Sequence, residues 1–212
     1  MMPQNPTLDE LVARTRLART SPADAPRAQA EPAAGCGVHA RRVATTVVAV
    51  DGPSGAGKST LAGRLAAALR KAGLTTGVVH MDDLFPGWTG LDEGLPNLLR
   101  WVLEPLSRNE TARYRRFDWS AGRFAEWITV PTTQVLIVEG VSSGSSVVAP
   151  YLGLLIWIEA PRTVRFDRGI ERDGEAYRPM WERWALQEER LFGREHTRDR
   201  ADVILDGTSP IR

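Results

Sequence analysis

The stretch Thr45-Thr46-Val47-Val48-Ala49-Val50, followed one residue later by Gly52-Pro53-Ser54-Gly55-Ala56-Gly57-Lys58-Ser59, decides how the rest of this chain is read. Its first half is a β-branched run that suits a strand buried on both faces. Its second half satisfies the pattern G-x-x-x-x-G-K-[ST] at every fixed position. Residues 58 to 72 then favour a helix, ended by Gly73. A strand, a glycine-rich turn and a helix in that order make a cradle for phosphate. The glycines let backbone N–H groups curve round an anion without Cβ clashes, and the helix N-terminus adds partial positive charge. Lys58 is expected to reach the β- and γ-phosphates of ATP, and the Ser59 hydroxyl to ligate Mg²⁺. Gly52, Ser54, Gly55, Ala56, Gly57, Lys58, Ser59 and Thr60 are the candidate nucleotide contacts of this loop. A chance glycine-rich turn is the competing reading, and both flanking elements weigh against it.

Outward from the loop, Gly77-Val78-Val79-His80-Met81, Val135-Leu136-Ile137-Val138, Leu154-Leu155-Ile156-Trp157-Ile158 and Ala201-Asp202-Val203-Ile204-Leu205 read as four further strands. Helical patterns lie between them over 95–106 and from 163 through 192. The alternation implies an α/β fold in three layers: a five-stranded parallel sheet with helices on both faces and ligands at the carboxyl ends of the strands. No internal repeat is present.

The acids at those strand ends bear on what the loop's nucleotide is for. Asp82 and Asp83 follow the second strand and face the same crevice as the phosphate loop. A carboxylate there could take a proton from an attacking hydroxyl and help hold magnesium; a solvated turn capped by Asp is the alternative. Glu139 and Gly140 end the third strand, where Glu139 is expected to fix a magnesium-bound water, or else simply caps the strand. Ser59, Asp82 and Glu139 are therefore the candidate metal ligands. After the fourth strand, Arg162, Arg165, Arg168 and Arg172 recur on one helical face. They suit a lid near residues 162–190 that closes over ATP and stabilises the transferred group, or a solvated face paired with Asp167, Glu171 and Asp173. No Asn-Lys-x-Asp guanine reader occurs.

The chain has 212 residues, 27 basic and 26 acidic side chains and a formal charge of +1, so no global field draws it to nucleic acid or an anionic membrane. One cysteine, Cys36, excludes an internal disulfide, and the expected setting is reducing and cytoplasmic. No apolar run approaches the length of a membrane span. Leu8, Leu11, Val12 and Leu17 recur at near-helical spacing, so residues 1–20 read as an amphipathic helix with Thr7 or Asp9 as its cap. It could dock a partner, pack on its own domain or fray. Residues 21–43 are poor in large apolar side chains and read as a flexible linker, leaving 44–212 as the main domain. A monomer and a homo-oligomer both fit.

Taken in order, the phosphate loop, Asp82-Asp83-Leu84-Phe85, Glu139-Gly140 and the run Val164 to Asp173 resemble the uridine kinase branch of the P-loop kinases over about residues 45 to 207. The resemblance implies that Asp82 is a catalytic base for a sugar hydroxyl, and that Arg165, Arg168 and Arg172 bind phosphate. It implies too that Gly207 borders the adenine, and that the acceptor is a nucleoside. Lys58, Asp82, Arg168 and Arg172 are then the catalytic set, with Arg165 and Gly207 joining the nucleotide contacts. Two departures bear on the acceptor. Asp83-Leu84-Phe85 stands where the family carries Ser-Phe-Tyr after its Asp, and Tyr114 to Arg123 only loosely matches the family's substrate segment. Asp83, Phe85, Trp88, Tyr114, Asp118, Trp119 and Arg123 remain the candidate acceptor contacts, by stacking of the rings and polar bonds from the rest. Trp127, Trp157, Trp181 and Trp184 read as structural. A kinase for a nucleoside monophosphate, vitamin precursor, sugar or drug, and an ATP-binding regulatory module, are the rival readings.

Overall fold

The structure, a computed structural model, describes residues 5–20 and 45–211. The linker expected over 21–43, with Cys36 and His39, lies outside the described residues, as does Ala44. Helix α1, Leu8–Thr20, opens on a reciprocal cap: the Thr7 N–H donates to Glu10 Oε2 at 2.7 Å and the Glu10 N–H to Thr7 Oγ1 at 3.2 Å. Its inner face is Leu11, Val12 and Thr15, with Leu8 partly covered, whereas Leu17 is 69% exposed and lies off that face.

Strand β1, Thr46–Asp51, feeds the phosphate loop and then helix α2, Lys58–Lys71, which packs beside α1. Strand β2, Thr76–His80, runs into a 3-10 turn, Met81–Asp83. Helix α3, Leu91–Leu98, carries Pro96, passes through a π turn over Leu99–Leu103, and ends as α4, Glu104–Ser107. Two strands follow, β3, Arg113–Asp118, and β4, Arg123–Thr129, then β5, Val135–Glu139, and β6, Leu152–Glu159. Helices α5, Arg162–Asp173, and α6, Arg178–Glu195, precede the last strand, β7, Val203–Asp206.

The main sheet has the order β2-β5-β1-β6-β7 with every pairing parallel, as the alternation of strand and helix predicts. Period-two alternation divides its side chains between two cores. Val48, Val50, Ile137 and Ile156 pack with Leu61, Leu65 and Leu69 of α2 and with α1, while Val47, Leu136 and Val138 meet Phe85, Leu98, Val102, Tyr114 and Trp184 on the other face. Both faces are covered, so β5 is buried at every residue.

The antiparallel pair β3–β4 is a separate two-stranded sheet that strand-helix alternation does not foreshadow. Asp118 closes its turn, accepting the N–H groups of Ser120 and Ala121 at 3.0 and 2.9 Å.

Candidate active site

The phosphate loop leaves β1 with a glycine that nothing else can replace at low cost. Gly52 has φ +142°, and a Cβ there would lie 2.0 Å from the Ile158 carbonyl oxygen of the neighbouring strand. Helix α2 begins at Gly57 with no side-chain cap, so its first-turn N–H groups face the loop's concavity. Lys58 is buried and its Nζ donates to the Pro53 carbonyl at 3.1 Å, arched over the loop. Backbone donors, a helix end and one ammonium converge there, the arrangement that binds phosphate.

Asp51, the last residue of β1, is fully buried and was not singled out by the motif. Its Oδ1 accepts the Gly52 N–H at 2.7 Å and its Oδ2 the Gly144 N–H at 2.9 Å, tying the phosphate loop to the loop after β5. Burial pushes its pKa from the ordinary 3.8 up to about 6, against the pull of those N–H groups and of Lys58. The folded state therefore holds this proton more tightly than the unfolded state. The contribution is present below the unfolded pKa and is lost as pH rises through the folded one. Relative to Asp51→Asn, the wild type should lose up to about 3 kcal/mol of stability between about pH 4 and pH 7. Urea titrations across that range measure the difference, and parallel curves for the two proteins would refute it.

Two of the candidate metal ligands meet directly. Ser59 Oγ donates to Glu139 Oε1 at 3.0 Å, and the same oxygen is 2.5 Å from His80 Nδ1, so the strand-end histidine belongs to the site rather than to packing alone. The Glu139 hydrogen bond raises the His80 pKa most, against burial. Asp82 opens on the cleft but is walled by protein elsewhere. That burial raises its pKa, the charge of Glu139 adds to the rise, and Lys58, Arg172 and His80 oppose it. Ser59, Glu139 and Asp82 form a hard-oxygen set with few protein ligands, which fits Mg²⁺ completed by waters and phosphate oxygens. Among the described residues no group of three or more His, Cys, Asp or Glu forms a cage of its own for a metal.

A cavity of about 500 Å³ joins Ser54 of the phosphate loop to Asp82 and Asp83. Trp88 and Trp119 line it, as their candidate roles require, and Trp119 Nε1 donates to the Asp82 carbonyl at 2.9 Å. Four other candidates are placed differently. Phe85 is fully buried, edge-on to Trp184, and meets no ligand space. Tyr114 is buried too, and its hydroxyl donates to Asp83 Oδ2 at 3.1 Å, so it orients an acid instead of stacking on an acceptor. Asp118 is spent on the hairpin turn. Arg123 is exposed opposite it at the hairpin tip. Trp181 and Trp184, read from sequence as structural, line the cavity alongside Arg116, Phe117 and Tyr177. Tyr177 stands in a short turn between α5 and α6 and carries no sequence signal; only tertiary structure brings it to Trp88, 6.1 Å between centroids.

The arginine face of α5 is seated on the loop. Arg165 Nη1 donates to the Ser54 carbonyl at 3.2 Å, and Arg168 donates to the carbonyls of Gly55 and Gly207 at 3.3 and 3.1 Å. Arg172 makes a two-pronged bond to Asp173 at 2.8 and 2.9 Å and lies over the Trp181 ring. A second cavity, about 340 Å³, lies behind the loop between Gly57, Thr60, Ile158, Arg168 and Gly207, the place expected for the adenine.

A sheet ordered β2-β5-β1-β6-β7, covered by helices on both faces and feeding a glycine-rich loop into α2, is the P-loop kinase fold. A structure described as a possible uridine kinase from Bacillus stearothermophilus matches with TM-score 0.60 and 21% identity, over 93% of this chain and 100% of that one. A provisionally assigned fructose transport system kinase from Silicibacter sp. TM1040 matches with TM-score 0.62 and 21% identity, over 93% and 98%. A D-glycerate 3-kinase from Cryptococcus neoformans var. grubii matches with TM-score 0.57 and 14% identity, over 96% and 97%. At these identities the likeness is one of fold. No protein-family model and no curated protein sequence matches the chain. No helix among the described residues is long and apolar enough to cross a membrane.

Proposed function

We propose that the protein is an ATP-dependent phosphotransferase acting on a hydroxyl of an uncharged, ring-bearing small molecule, with nucleosides the class that suits the cleft best. The observation that carries this reading is the shared cavity, which puts the phosphate loop's Ser54 and the carboxylates of Asp82 and Asp83 on one aromatic-lined space. In that reading the acceptor hydroxyl gives its proton to Asp82 as its oxygen bonds to the γ-phosphorus. The bond from phosphorus to the bridging oxygen breaks, and ADP leaves. Lys58 and the loop N–H groups hold the phosphates, and a bound acceptor filling the ring-lined cleft would limit water there. Mg²⁺ held by Ser59, Asp82 and Glu139 would neutralise charge on the phosphates.

The charge of the acceptor follows from which cations are already engaged. Arg116 and Arg172 are the basic residues lining the cavity, and each is paired, with Glu126 and with Asp173. An anionic acceptor would have to share a guanidinium whose charge is already matched by a carboxylate and then sit near Asp82 and Asp83, whereas a flat neutral ring meets Trp88, Trp119 and Tyr177 at no such cost. ATP consumption across nucleosides, nucleoside monophosphates, sugars and sugar acids tests this. Neutral ring-bearing acceptors should exceed their phosphorylated counterparts at least about 10-fold in kcat/KM, the ratio expected from about 1.4 kcal/mol of discrimination. Turnover confined to anionic acceptors would overturn the assignment of acceptor class and leave that of ATP intact.

A further inference from the structure

Every polar group of Ser54, the third residue of the phosphate loop, is taken by a side chain of α5 or α6. Its N–H donates to Glu188 Oε1 at 2.9 Å, its carbonyl accepts from Arg165 Nη1 at 3.2 Å, and its hydroxyl accepts from Trp184 Nε1 at 3.1 Å. Trp184 Nε1 also reaches Glu188 Oε1, at 2.9 Å, and Glu188 Oε2 lies 3.9 Å from Arg165 Nη1. The two charged side chains are 4% and 17% exposed. At the next residue a Cβ on Gly55 would lie 2.3 Å from the Arg165 carbonyl oxygen, so the two backbones touch.

A buried acid and base of this kind stabilise a fold no better than apolar side chains of equal volume, because desolvation offsets their attraction. Packing α6 against the sheet would be served by Leu or Met at position 188. What an apolar side chain cannot do is fix the direction of a loop N–H. A phosphate loop rich in glycine has wide backbone freedom, and each residue ordered only on binding subtracts from affinity.

We propose that Glu188 is a positioning residue for nucleotide: with Arg165 and Trp184 it holds Ser54 in place, so that the phosphate loop is formed before ATP arrives. The helices read from sequence as a lid act in this role as a brace. The proposal rests on the nucleotide-binding reading of the loop, and a control separates the two.

The experiment is calorimetric titration of a non-hydrolysable ATP analogue with Mg²⁺ into wild type, Glu188→Ala, Glu188→Gln and Lys58→Ala, each first checked by circular dichroism and thermal melting. The expected result is affinity at least about 10-fold weaker in folded Glu188→Ala, through a larger entropic cost of binding, with Glu188→Gln recovering most of it because its amide oxygen still accepts the Ser54 N–H. A purely structural Glu188 would lower the melting temperature and leave affinity unmoved, and that outcome overturns the proposal, as does Glu188→Gln binding no better than Glu188→Ala. Unchanged affinity in Lys58→Ala would instead refute nucleotide binding at this loop. Should Glu188→Ala not fold, amide hydrogen exchange of the nucleotide-free wild type decides: protection at Ser54 is expected, and exchange at open-loop rates overturns the proposal.

Discussion

Asp82→Asn is expected to lower kcat by about 10²- to 10⁴-fold, the range for loss of a positioned general base, while the protein still folds and still binds ATP. The substitution keeps the shape of the side chain and leaves Lys58, the loop and the ring-lined cavity untouched. What it removes is the ability to accept a proton, together with the negative charge that Asp82 would lend to Mg²⁺; the amide oxygen remains as a neutral ligand. Burial and the neighbouring Glu139 raise the pKa of this carboxyl, which makes it a stronger base than an ordinary carboxylate. In kcat/KM the acid limb of the wild type should therefore lie above the usual carboxylate range, because activity needs the ionised form and is lost as pH falls through the raised pKa. The variant should lack that limb. The same shift bears on stability with the opposite sign. Holding Asp82 ionised beside Glu139 costs the folded state, so the variant should be at least as stable as wild type near neutrality, a trade of stability for function. Steady-state rates with the acceptor identified by the panel, at saturating ATP, supply the check; equal rates for variant and wild type would remove Asp82 from the chemistry.

Much of the fold is legible in local sequence because its strands are buried on both faces. Val47 to Val50 and Val135 to Val138 read as strands without any knowledge of partners, and the pattern between Gly52 and Ser59 depends only on its own backbone. Side chains whose role depends on a distant partner were read less well. Tyr114 looks like a stacking ring until its hydroxyl is found on Asp83, 31 positions away. Phe85 differs from an exposed aromatic because distant side chains and backbone, Trp184 of α6 and Gly94 of α3 among them, close over it. Asp118 shows the reverse failure: an acid followed by Trp-Ser-Ala-Gly is a turn signal, and standing between two short runs that carry Tyr114 and Phe117 and then Phe124 and Trp127 it marks a hairpin that helix-strand alternation obscured. Asp51 was visible as an acid ending an apolar strand beside the loop. Glu188 was not, since one Glu in a helix bearing Glu182, Glu189 and Glu195 is distinguished only by its burial against Ser54.

Gly52→Ala should be among the most damaging single-methyl additions at the described glycines. β1 and β6 run parallel with Asp51 opposite Trp157, which places Gly52 against Ile158. A Cβ would stand 2.0 Å from the Ile158 carbonyl oxygen, a main-chain atom held by the sheet, at a φ of +142° that L side chains rarely adopt. Strain at such a backbone position costs about 1–3 kcal/mol and an unrelieved core clash a further 1–3 kcal/mol. A total of about 2–6 kcal/mol lowers the melting temperature by roughly 4–24 °C in a domain of this size. Relief would require β1 to draw away from β6 at the strand end that launches the phosphate loop, so nucleotide affinity should fall with stability. Gly63, eleven positions on in α2, provides the internal control. A Cβ there meets nothing within 4 Å, and Gly63→Ala in an exposed helical position should raise stability by about 0.5–1 kcal/mol. Thermal melts of the two variants with the same added methyl should move in opposite directions. A Gly52→Ala protein that melts with the wild type would mean that the close approach of loop and β6 is not what fixes the strand end, and the geometry assigned to the phosphate loop would fall with it.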